Sequence, residues 1–152
     1  MTDDLDALED WAGPLIARLS PSAQRKLARD IARALRKSQA ARIKAQKNPD
    51  GSPFEPRKPQ ARAQSGFVRK GAMFTKIRQA KHLKARGRGD DAQVGFFSRV
   101  ARIAREHQRG LRAKVDRNGP WYDYPERRLL GYSDADRALV RDMLLDHLGD
   151  DL

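Results

Sequence analysis

Three histidines, His82, His107 and His147, and the carboxylate pairs Asp90/Asp91 and Asp150/Asp151 are the residues of this chain best suited to acid–base or metal chemistry. The histidines fall in three different predicted elements, so local spacing brings no two imidazoles together and the sequence makes no case for a metal. Glu106 and His107 are neighbours, and adjacent side chains on a helix point in different directions, which works against their acting as a catalytic pair. Gly87-Arg-Gly-Asp-Asp91 lacks the Lys-Ser or Lys-Thr that completes a phosphate cradle and reads as turn chemistry. The acid pairs lie in that turn and in the C-terminal tail, where the burial that tunes a carboxylate is not expected. The chain has no cysteine, which removes disulfides, thiolate zinc sites and cysteine nucleophiles. An acid pair of the glycosidase kind is unsupported, the case for an enzyme is weak, and nothing in these residues calls for a metal or a cofactor.

Charge is the stronger signal. The chain of 152 residues carries a net +12, but residues 1–10 hold five acids and no base, and residues 133–152 hold six acids and two bases. The regional charges are therefore −5, −4 and, for the stretch between, +21. A basic body with acidic ends suits an anionic partner such as nucleic acid, or pairing between unlike flanks of two subunits. No zinc-finger ligands, basic-zipper heptads or aromatic RNA-binding strands are present, so any nucleic-acid binding would be through charge and blind to sequence. No apolar run approaches the ~20 residues of a membrane span, and an acidic start is the reverse of a signal peptide, so the expectation is a soluble protein without a membrane partner.

The elements that must position these groups follow from periodicity and punctuation. Leu5, Leu8, Trp11, Leu15 or Ile16, and Leu19 predict a first helix broken at Gly13-Pro14. Ser20-Pro21 starts a second with good capping chemistry, and Leu27, Ile31 and Leu35 mark its apolar face up to about Gln46. At 1.5 Å per residue it is roughly 40 Å long, more than one small core requires, so part of it is expected to project or to pack on another subunit. Its other faces carry Arg25, Arg29, Arg33, Arg36 and Lys37, candidate contacts for DNA or a neighbouring subunit. Asn48-Pro-Asp-Gly-Ser-Pro-Phe-Glu-Pro-Arg-Lys-Pro59 then ends the helix with a turn and an extended display of Phe54, Arg57 and Lys58, and the polar stretch Gln60–Lys70 reads as loop.

A short turn at Met73–Ile77, a hairpin from strands near Ala80–Ala85 and Gln93–Phe97, and a helix capped by Ser98 and ended by Gly110 come next. Further extended segments are expected at Leu111–Val115 and Arg127–Leu130, separated by the turn Asn118-Gly119-Pro120. Ser133-Asp-Ala-Asp136 opens a last helix that ends at Gly149. The fold class is α+β, a small antiparallel sheet with flanking helices and a long N-terminal helical extension. As one domain it divides into the helical extension 1–47, the proline-rich loop 48–72 and an α+β core 73–152.

Three stretches, in this order, carry a resemblance: RIKAQKNPDGSPFEPRK (Arg42–Lys58), VGFFSRVARIAREHQRGL (Val94–Leu111) and YPERRLLGYSDADRALVRDMLLDHL (Tyr124–Leu148). Together they resemble the phage virion morphogenesis family, the tail completion proteins of Mu-like and related contractile-tailed phages, over about Leu15–Leu148. The resemblance implies a structural assembly protein, made in the host cytoplasm and placed in the tail or neck. It would complete the tail at its head-proximal end and support head–tail joining as a ring, six being one copy number it allows. It implies other tail or neck proteins as partners, with nonspecific contact with DNA as an additional expectation and a charge-driven nucleic-acid-binding protein as the alternative.

The family motif maps onto Pro49, Asp50, Gly51, Arg57 and Lys58, with Phe54 standing where a tryptophan or tyrosine is expected. These six form a candidate assembly-interface loop. It continues through Val94, Gly95, His107, Gln108 and Gly110, and then Pro125, Arg127, Arg128, Leu129, Leu130, Gly131 and Asp136. His107 reads first as a helix-end residue hydrogen-bonded within the fold, with a functional pH switch as the alternative.

Overall fold

The computed structural model describes residues 10, 13–57, 71–88 and 91–150. Thr2, Leu5, Leu8 and Trp11 of the first predicted helix, the loop Gln60–Lys70, and Lys58 lie outside the described residues. Residues 13–16 are helical. Ser20 then caps α1 (Pro21–Lys44): its hydroxyl accepts from the Ala23 amide at 3.2 Å, and Pro21 occupies the first turn, where a missing N–H costs nothing. The helix ends at Ala45, within two residues of the boundary read from Asn48-Pro49.

Two antiparallel ribbons follow. Strands β1 (Leu83–Arg88) and β2 (Asp91–Phe96) pair with Leu83 opposite Phe96 and Ala85 opposite Val94. The first begins later than the sequence suggests, because the amides of His82 and Leu83 both donate to the Gln79 carbonyl at 2.9 Å and hold residues 79–82 in a turn. After α2 (Arg99–Arg109) come β3 (Arg112–Lys114) and β4 (Trp121–Asp123), paired through Ala113 and Tyr122, and the chain closes with α3 (Asp134–Asp150). The architecture is α+β, with helices and small two-stranded sheets.

Three local expectations are corrected. The fourth strand is 121–123, and residues 127–130 join no ladder. Ser98 precedes α2 but caps nothing with its side chain, since φ 64° and ψ −145° leave the extended conformation a capping residue needs. Gly149 does not end α3, which runs to Asp150. Gly110, by contrast, terminates α2 as expected, in the left-handed conformation with φ 61°, its amide donating back to the His107 carbonyl.

α1 packs on both strands of the first ribbon and on α3. Its buried residues run from Leu27 to Ile43, and these two end members belong to two separate apolar clusters. Near its start Leu27 meets Leu144 of α3, with Ile16, Leu19, Ile31 and Val140 around them. Near its end Ile43 joins Phe54, Met73, Leu83, Ala104 and Leu129. A helix longer than one small core requires is thus used to connect two.

Leu129 is fully buried in the larger cluster, between residues from α1, the proline-rich loop, β1 and α2. Leu129→Ala should destabilise the fold by about 2–5 kcal/mol, transfer and cavity costs combined, read as a lower midpoint in denaturant unfolding with the slope unchanged.

Candidate functional site

Several of the family-like residues, scattered over some eighty positions of sequence, meet around one segment. The segment Arg127–Gly131 is irregular, with a bend at Leu130, and joins no ladder, so its buried backbone groups must find other partners or pay desolvation. They are met largely by side chains. The Arg128 amide donates to Asn48 Oδ1 (2.8 Å), the Leu130 amide to Gln108 Oε1 (2.9 Å) and the Gly131 amide to Gln39 Oε1 (3.2 Å). The carbonyl of Leu130 accepts from Gln108 Nε2 (2.8 Å), and those of Arg128 and Leu129 accept from the Arg42 guanidinium (3.0 and 2.8 Å). The Arg127 amide donates to the His107 carbonyl (2.8 Å) at the end of α2.

Arg127 returns the contact to the proline-rich loop. Its side chain donates from Nε to the Glu55 carbonyl (2.7 Å) and from Nη2 to the Pro56 carbonyl (3.0 Å), while Nη1 lies 3.1 Å from His107 Nδ1. Only 3% of the residue is exposed, and burial draws its pKa below the usual guanidinium value, although a guanidinium stays charged at any physiological pH. Nδ1 of His107 must then be the acceptor, which places the imidazole proton on Nε2. Burial, with the Arg127 charge second, lowers the His107 pKa from 6.5 to about 4. The ring is also the middle member of an edge-to-face series Phe54, Phe74, His107, Tyr124 and Tyr122, with centroids 4.8–5.7 Å apart. An imidazole kept neutral and held between aromatic edges works as a fixed acceptor, the fold-internal role expected of it.

The loop is built to meet this clamp. Gln46 and Met73 exchange two bonds, from Nε2 to the Met73 carbonyl (2.9 Å) and from the Met73 amide to Oε1 (2.8 Å). The Phe54 amide donates to the Gln46 carbonyl (2.8 Å), and the Asn48 amide to the Ser52 carbonyl (2.7 Å). Asp50 Oδ1 accepts from the Ser52 amide (2.8 Å) and hydroxyl, which holds its carboxyl below the usual range. Pro49 is buried against Gly131, where an added Cβ would stand 2.6 Å from Pro49 Cγ, so this crossing requires glycine.

Of the candidate interface residues, Asp50, Gly51 and Arg57 are exposed, and Arg57 Nη2 reaches the Ala72 carbonyl at 3.5 Å. Phe54, expected on display, is 4% exposed, because the turn folds it into the apolar cluster. The basic positions on α1 also divide. Arg25, Arg29, Arg33 and Lys37 are exposed, whereas Arg36 donates from Nε to the Leu83 carbonyl (2.7 Å) and ties α1 to β1.

Sequence reasoning missed Gln39 and underrated Arg42 and Asn48. Gln39 carries a visible signal: it continues the stripe Leu27, Ile31, Leu35 towards Ile43, so a polar side chain sits where an apolar one belongs. It is buried, donates from Nε2 to Asp136 Oδ2 (3.0 Å), and its Oε1 accepts from Arg42 Nη2 at 2.5 Å. Asp136, 1% exposed, also accepts from the Ser38 hydroxyl and from the Ser133 amide (3.0 Å). The Asp136 amide donates to Ser133 Oγ (3.0 Å), completing a reciprocal cap on α3. Among the described residues, no cluster of three or more His, Cys, Asp or Glu is placed to hold a metal ion. No described helix is long and apolar enough to cross a membrane.

A two-ribbon α+β fold locked by a proline-rich turn, a Gln-x-Gly step and an Arg-Arg-Leu-Leu-Gly segment is the arrangement on which the comparisons with known proteins bear. The chain belongs to the phage virion morphogenesis family, whose profile matches residues 3–149. The tail completion protein S of Escherichia phage P2 is 36% identical to it over 148 residues, covering 96% of this chain and 98% of that one. No solved structure matches the chain.

Two outcomes test the clamp. Arg127→Met should cost about 3 kcal/mol of unfolding free energy, because it leaves the Glu55 and Pro56 carbonyls without their charged donor, and Arg127→Lys should recover only part of that loss. His107 in the fold binds its proton more weakly than in the unfolded chain. Its contribution to stability is therefore complete above pH 6.5 and falls as the pH drops towards about 4. Unfolding midpoints across that window should decline for the wild type and flatten in His107→Gln.

Proposed function

We propose that this chain is a structural, non-catalytic protein of virion assembly, which completes a phage tail at its head-proximal end and supports the joining of tail to head as a ring of identical subunits. The observation that carries this reading is family membership over nearly the whole chain, together with a relative of matching length named for tail completion. The local physics is compatible with it. The motif residues are spent on holding one another, through buried guanidinium and amide contacts, as suits a rigid building block whose outer faces meet other proteins.

The partners are then tail or neck proteins and other copies of the chain, and the finished location is the virion, after synthesis in the host cytoplasm. The exposed Arg25, Arg29, Arg33 and Lys37 on α1 supply a face for sequence-blind contact with DNA phosphates within that assembly. Charge alone favours the competing nucleic-acid-binding reading, and no specific contact in the fold adds to it.

Tails assembled in the absence of this protein provide the test. Adding the purified chain to such tails and filled heads should restore joined particles in negative-stain micrographs, together with infectious titre. Tails that join heads equally well without it would refute the reading. So would a monomer whose main activity is tight, steeply salt-dependent DNA binding.

A further inference from the structure

We propose that the outer face of the β3–β4 ribbon is an interaction surface for a second copy of this chain, and that it receives the exposed face of α3 of that copy. Strand alternation turns Ala113 and Tyr122 inward, where Tyr122 ends the aromatic series, and turns Arg112, Lys114, Trp121 and Asp123 outward. Trp121 is 59% exposed, the most exposed large apolar side chain among the described residues. The Arg112 guanidinium carbon lies 5.9 Å and the Lys114 ammonium 5.6 Å from its ring centroid, so the indole is framed by cations. Tryptophan and arginine are the residues that most often dominate binding energy when a partner excludes water from them.

The matching patch lies on another element. On α3, Leu145 is 46% exposed, with the exposed Asp142 and Asp146 along one side of it and the exposed Arg141, whose Nε lies 3.5 Å from Asp142, along the other, while Gly149 one turn on leaves the helix surface low. One patch is an aromatic centre with two cations and the Asp123 carboxylate, and the other an aliphatic centre with two carboxylates and the Arg141 guanidinium, so each has an excess of the opposite sign. They complement one another in charge and in apolar character. Two unlike patches on one chain allow a head-to-tail contact that leaves each dimer with one free patch of each kind, which is what a ring needs. Phosphate backbones would also be drawn to Arg112 and Lys114, but Asp123, with 86% of its side chain exposed and its carboxylate 3.8 Å from Arg112, places an anion on the same face. A protein surface with mixed charges fits that face better than a polyanion does. This inference rests on the self-association proposed above, and it names the surfaces.

Sedimentation of the full-length chain over a range of concentrations tests it, with circular dichroism confirming that each variant is folded. The wild type should self-associate. Trp121→Ala and the pair Asp142→Lys/Asp146→Lys should each weaken association at least about tenfold. Mixing the two variants should give a one-to-one dimer and nothing larger, since each retains the patch the other lacks. A chain that stays monomeric, association unchanged in both variants, or a Trp121→Ala protein that loses single-stranded DNA binding while its association is intact would each overturn the proposal. Head–tail joining by the wild-type chain is a separate readout: joining restored while both variants associate normally overturns these surfaces alone, and joining not restored overturns the tail reading alone.

Discussion

A partly buried segment that joins no ladder is the constraint on which the rest of this fold depends. Arg127–Gly131 lies against the larger apolar cluster with Leu129 fully buried, so the amides and carbonyls around Leu129 have reduced access to water. A buried group left unpaired costs about 1–3 kcal/mol, and here Gln39, Arg42, Asn48 and Gln108 bond six groups of the segment, four of them partly buried and the two of Arg128 exposed. Those four side chains come from α1, the loop after it, and α2. The segment therefore fixes the relative positions of three elements that share no sheet, and it does so through side-chain amides and a guanidinium where a β-protein would use a ladder.

The same economy explains why the basic character of the chain is not all surface. Arg36, Arg42 and Arg127 place their guanidinium groups on backbone carbonyls, a use that suits a planar, weakly hydrated cation and would not suit lysine. Desolvation lowers the pKa of Arg42, with the nearby Asp136 carboxylate opposing the shift. The charge left for partners is correspondingly smaller than the composition suggests, and on α1 it is carried by the exposed Arg25, Lys26, Arg29, Arg33, Lys37 and Lys44. For a member of a virion morphogenesis family, that separation keeps the internal clamp independent of whatever the outer faces bind.

Two-stranded ribbons are marginal by themselves, and each of these is anchored by something else. The β1–β2 ribbon lies on α1, with Arg36 bonded to the Leu83 carbonyl. The short β3–β4 ribbon is held by the edge-to-face series that runs from Phe54 through His107 to Tyr122. The aromatic series thus connects the proline-rich loop in the core to a ribbon whose other face stands in solvent. Residues that look like separate motifs in sequence are one mechanical unit.

Much of the local structure was legible in the residues. Ser20-Pro21 and Asn48-Pro49 bracket α1, Gly110 ends α2, and Ser133 with Asp136 opens α3, because caps and breakers act within a few residues of themselves. The family likeness was legible too, since it resides in the order of short motifs. Residues 127–130 read as an extended segment because the same side chains serve whether a ladder or four side chains from elsewhere satisfy the backbone. Phe54 read as displayed because nothing nearby in sequence says that a turn at Asn48–Ser52 folds it into the core. By itself the sequence determined helix limits, the charge pattern and the family, all of which rest on local chemistry or on motif order. Only the tertiary structure decided that Arg127, His107, Gln108 and Asn48 form one clamp, because their hydrogen bonds join positions 20 to 80 residues apart and leave no local trace.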